Sequence, residues 1–100
     1  MKTDELIAIN EICIHHKIEP SFIVSLKDAG LLQITTIDEA IFLPERELRN
    51  LEKMVRLYYE MDINVEGIET ITYLLQRLNE MQVRITELSN QLEFVRPTGQ

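Results

Sequence analysis

Cys13, His15 and His16 bring thiol and imidazole chemistry together near the start of the sequence. Such a group invites a metal- or redox-sensing role, or proton transfer between two histidines. The spacing argues against both. Adjacent helical residues point about 100° apart, which makes chelation of one ion by His15 and His16 awkward. One Cys with two His also falls short of a structural zinc set. Cys13 sits where a first helix needs a small buried residue, and two imidazoles near a helix C-terminus suit its dipole. The acids at 45, 47, 52, 60, 66 and 69 are the second set with chemical potential, as paired carboxylates for acid–base work. No Ser-His-Asp arrangement, Gly-rich phosphate loop or metal signature accompanies them, so they read as solvated faces and helix ion pairs. The expectation is a non-enzymatic protein with no catalytic, cofactor-binding or metal residues and no small-molecule substrate.

The chain that must position these groups has 100 residues, 45% hydrophobic and 27% charged, the size of one small domain rather than a multidomain enzyme. No window approaches 18 consecutive apolar residues, and the opening MKTDELIAIN carries acids where an export signal has a basic stretch. A cytoplasmic protein without a membrane span is expected. Its 10 Lys+Arg against 17 Asp+Glu give a net charge of −7. Such a field repels phosphates, which disfavours nucleic acid and favours a basic partner.

The elements follow from sparse punctuation. Ile9, Ile12, Cys13 and His16 share one face of a first helix, and Pro20 to Ala29, closed by Gly30, forms a second. Joined through Lys17-Ile18-Glu19 they make a helix-turn-helix. Leu31–Ile37 and Ala40–Leu43 flank Asp38-Glu39 and predict a small hairpin, marginal alone and therefore leaning on the helices. Pro44-Glu45 opens a helix with the stripe Leu48, Leu51, Val55 and Tyr58, stopping near Asp62, and Asn64 is a good N-cap for the last segment. Phe22, Phe42, Tyr58 and Tyr59 are expected to join the winged-helix core, with Tyr59 the one among them best placed to be exposed and open to a partner.

The last segment is the clearest pattern. Ile71, Leu74, Leu78, Met81, Ile85, Leu88, Leu92 and Val95 alternate spacings of three and four, a heptad seam with polar flanks. A helix over 65–95 would be roughly 45 Å long, longer than so small a domain is wide. A homodimer is expected through these eight residues, with parallel and antiparallel arrangements both open. The expected organisation is a head over 1–62, a dimerisation helix over 63–96 and a disordered tail over 97–100.

This layout resembles the MerR-like winged-helix proteins. Ile18-Glu19-Pro20 matches that family's turn and second-helix start, Gly30-Leu31-Leu32 its "G-L-L", and Met61 to Ile68 its "G-f-s-L-e-e-I". The implied fold is mainly α: a MerR-like winged helix-turn-helix head with a small β-hairpin wing and a long C-terminal coiled-coil dimerisation helix. Where DNA-binding members carry "R-y-Y" in the second helix, this chain has Val24, Ser25 and Leu26, which can neither donate to a phosphate nor neutralise it. Between Gly30 and Pro44 there is no Lys or Arg.

Within that superfamily the sequence is similar to the chaperone modulator CbpM family, through Glu11 to His16 and Val24 to Leu32. The resemblance implies a dimer that binds the J-domain of a CbpA- or DnaJ-like co-chaperone and prevents it from stimulating DnaK. Its basic J-domain helix would meet an acidic surface, with Asp28, Asp38, Glu39, Glu45 and Glu52 as candidate contacts and Leu32 or Ile41 as apolar anchors if exposed. The alternative is a MerR-type transcriptional regulator that distorts DNA with few cations.

Overall fold

The computed structural model describes residues 5–95, which divide into two compact units between Glu69 and Thr70. The expected tail at 97–100 lies outside the described residues.

The first unit is built on a helix-turn-helix. Helix α1, Ile9–His16, buries Ile9, Ile12 and Cys13 on the face read from the sequence. It ends at Lys17 in the left-handed region, φ 57°, and the following Ile18 N–H also donates to the Cys13 carbonyl at 3.0 Å. Helix α2, Pro20–Asp28, starts with Pro in its first turn and buries Phe22, Ile23 and Leu26. Gly30, at φ 77°, then supplies the left-handed residue that a side chain would resist.

The sheet differs from the expected two-stranded hairpin. Strand β1, Leu6–Ala8, pairs antiparallel with β3, Ala40–Pro44, which also pairs with β2, Thr35–Ile37, giving the order β1-β3-β2. The third strand places β3 centrally, and its Leu43 is fully buried. Strand β2 is shorter than the predicted 31–37 because its first half has other work. The Leu31 N–H donates to the Leu26 carbonyl at 2.9 Å, the Leu31 carbonyl accepts from Asn50 Nδ2 at 3.0 Å, and Leu32 turns into the core. Asp38 and Glu39, at φ 50° and 68°, form the two-residue turn, the primed geometry that matches strand twist.

The segment after β3 winds in three steps: a 3-10 turn at Glu45–Glu47, helix α3 at Leu48–Val55, and a π-helical turn at Arg56–Glu60. Leu51 and Met54 are its buried side chains. Asp62, at φ 56°, follows the end, as expected. Helix α4, Val65–Val95, opens with the predicted cap: Asn64 Oδ1 accepts from the Gly67 N–H at 2.8 Å. Gly67 costs helix propensity there but has a reason, since a Cβ would lie 2.7 Å from Ile63 Cγ2 and 3.2 Å from Asn64 Oδ1. One core, from Ile9 through Leu51 and Met54 to Ile68, joins these elements.

In the second unit, residues 70–95, α4 continues without interruption. Among the described residues no helix is long and apolar enough to cross a membrane.

Candidate partner-binding surface

The acids read as contacts divide into four places. Asp38 and Glu39 stand exposed at the hairpin tip, the position of a wing. Glu39 also shares with Ile41, Asn10 and Pro20 an open groove of about 240 Å³, so the fold brings one predicted acid and one predicted apolar residue together. Asp28 ends α2, its carboxylate 3.7 Å from Lys27 Nζ, and that lysine is the only Lys or Arg of the helix. Glu45 opens the 3-10 turn, its N–H bonded to the Glu5 carbonyl at 2.8 Å. Glu52 lies on α3, 3.9 Å from His16 Nε2, and thus belongs to the α1–α3 face rather than to the wing.

Leu32 requires correction as an anchor. It is 4% exposed and part of the core, because the turn after Gly30 directs it inward rather than along a strand face. Ile41 is half-buried and packs against that core, leaving part of its surface at the groove.

Two features had weaker sequence signals. An open groove of about 520 Å³ is largely apolar and runs between α1 and its neighbours, with Ile14 79% exposed at its edge beside His15 and His16. The only sequence trace of it was an isoleucine off the buried stripe of α1. The other is an aromatic cluster. Phe22, Tyr58 and Tyr59 have ring centroids 4.3, 5.5 and 4.9 Å apart, and Tyr59, expected among the core aromatics as the one best placed for exposure, is 41% exposed while its hydroxyl accepts the Glu19 N–H at 3.1 Å.

Cys13 is buried, and burial pushes its thiol up from its ordinary value. His15 and His16 meet edge to face at 4.9 Å. Among the described residues no three His, Cys, Asp or Glu groups gather as they would around a metal ion.

On α4, Leu74, Leu78, Met81, Ile85, Leu88 and Leu92 are each 47–60% exposed, while Ile71 is half-buried. The Val95 side chain lies outside the described residues. Arg77–Glu80 and Arg84–Glu87 ion pairs, 3.4 and 3.5 Å, flank the stripe.

A helix-turn-helix followed by a hairpin wing and a long helix defines the winged-helix class. The chain belongs to the MerR HTH family of regulatory proteins, whose family model matches residues 7–90. No curated protein and no solved structure matched it.

Proposed function

We propose that this protein is a cytoplasmic chaperone modulator of the CbpM type, which binds the J-domain of a CbpA- or DnaJ-like co-chaperone and blocks its stimulation of DnaK. The observation that carries this reading is the charge of the two elements with which a winged helix-turn-helix meets DNA. Helix α2 offers Lys27 alone, paired with Asp28, and the wing tip is Asp38-Glu39. Phosphate contacts need cations, whereas a basic J-domain helix needs acids. The mechanism is steric competition: the acidic head occupies the helix with which a J-domain docks on DnaK. Charge speeds the encounter and sets orientation, and apolar contacts beside Glu39 and Ile41 add affinity.

The exposed seam of α4 supports a homodimer as the working form. Burying a Leu or Ile side chain gains roughly 1.5–3 kcal/mol, so a second copy along this stripe offsets the cost of association.

Calorimetric titration with an isolated J-domain, at low and moderate salt, tests the partner. Micromolar or tighter binding that weakens with salt is the expected result, and absence of binding at both salts removes the chaperone assignment. The family's description as regulatory proteins favours a second reading, a DNA-binding regulator. Duplex binding with a steep salt slope would establish it instead.

A further inference from the structure

We infer that Tyr58 and Tyr59 form a seat for a guanidinium group, an arginine side chain of the basic partner. Consecutive residues of a regular α-helix point about 100° apart and do not usually reach one ring. Here the two tyrosines lie in the π-helical turn Arg56–Glu60, and both meet Phe22. Such turns recur at functional sites. Phe22 is buried and forms the floor, while Tyr59 is 41% exposed and is held by the hydrogen bond from the Glu19 N–H.

Concavities of about 210 and 350 Å³ are each lined by both tyrosines. Glu19, Ser21 and Ser25 line the first, and Asp62 and Asn64 the second. Apart from the tyrosines, the ionisable groups of both linings are carboxylates. Asp62 is held at φ 56°, a conformation that Asp and Asn tolerate better than most residues. Ring faces attract cations, and a planar guanidinium can stack on them while directing its N–H donors to carboxylates and hydroxyls in its own plane. An anion would meet Glu19 or Asp62.

The identity of the arginine's owner, a J-domain helix, rests on the function proposed above; the chemistry of the seat does not. The chain has three tyrosines, so labelled tyrosine-ring resonances resolve the site, with Tyr73 as an internal control. Titration of the full chain with N-acetylarginine amide is expected to shift Tyr58 and Tyr59 saturably in the millimolar range and leave Tyr73 still. The neutral isostere N-acetylcitrulline amide should shift none of them. Asp62→Asn keeps a residue that tolerates the backbone, and Glu19→Gln changes an exposed side chain; each should weaken arginine binding about threefold. Equal shifts with citrulline, or unchanged binding in both variants, would overturn the seat. Against the J-domain, Asp62→Asn and Tyr59→Leu should lower affinity about tenfold. Wild-type binding that both variants retain overturns the inference and spares the chaperone reading. No wild-type binding removes that reading and leaves the seat to be judged by the arginine titration.

Discussion

The two units of this molecule handle aliphatic side chains in opposite ways. In residues 5–69, Ile23, Leu26, Leu43, Leu51 and Ile68 are at most 1% exposed, gathered from two helices, a central strand and the first turn of α4. In residues 70–94, a comparably apolar stripe from Leu74 to Leu92 stays about half exposed on one helix. The first unit supplies its own cover. A single helix cannot bury its own seam, so the second specifies a surface rather than a core. Charge divides similarly: the wing tip is purely acidic, whereas the arginines of α4 are matched by glutamates one turn away.

The sharpest way to break this contrast is to remove a fully buried side chain from the head. Leu51→Ala should cost about 2–5 kcal/mol in urea unfolding, through lost transfer energy and a cavity. A cost under about 1 kcal/mol would mean that the head core is looser than its burial indicates. Ile85→Lys with Leu88→Lys should do the reverse: sedimentation velocity at micromolar concentration is expected to show monomers, while amide resonances of the head keep their dispersion. Unchanged sedimentation would remove α4 as the dimer contact.

Smaller effects sharpen the boundary between the units. Asn64→Ala should cost about 1 kcal/mol by orphaning the Gly67 N–H. Gly67→Ala should fail to deliver the usual gain of about 1 kcal/mol, because its Cβ would crowd Ile63. Thermal unfolding of both variants checks the pair. Cys13 provides the smallest effect. Its raised native value lets the unfolded thiol ionise first, so its contribution to stability is intact below the ordinary thiol range and is lost as pH rises through the native value. Alkylation of Cys13 at mildly alkaline pH should accordingly be much slower in the native protein than in urea; equal rates would contradict its burial.

Periodicity and punctuation made most of the fold legible. Pro20, Gly30 and Asn64 marked boundaries that the backbone respects, and the buried face of α1 could be read from spacing alone. Strand β1 was not legible, because Leu6-Ile7-Ala8 is too short to alternate and becomes a strand only by pairing with β3. Leu32 misled for a related reason: an apolar residue beside a strand gives no sign of the face it takes when neighbouring backbone groups are engaged by Leu26 and Asn50. The π-helical turn at Arg56–Glu60 was equally hidden. A 3.6-residue period placed Tyr58 inside and Tyr59 outside, whereas both meet Phe22. At the surface, acidity was legible but convergence was not. Glu39 and Ile41 share a groove, while Glu52 is held near His16 on another face.

The central claim is that the acidic head masks a J-domain, and its most direct test is the ATPase rate of DnaK stimulated by a DnaJ-type co-chaperone. Adding this protein should lower the stimulated rate saturably toward the basal rate and leave DnaK alone unaffected. A stimulated rate that stays unchanged at saturating protein would contradict the account.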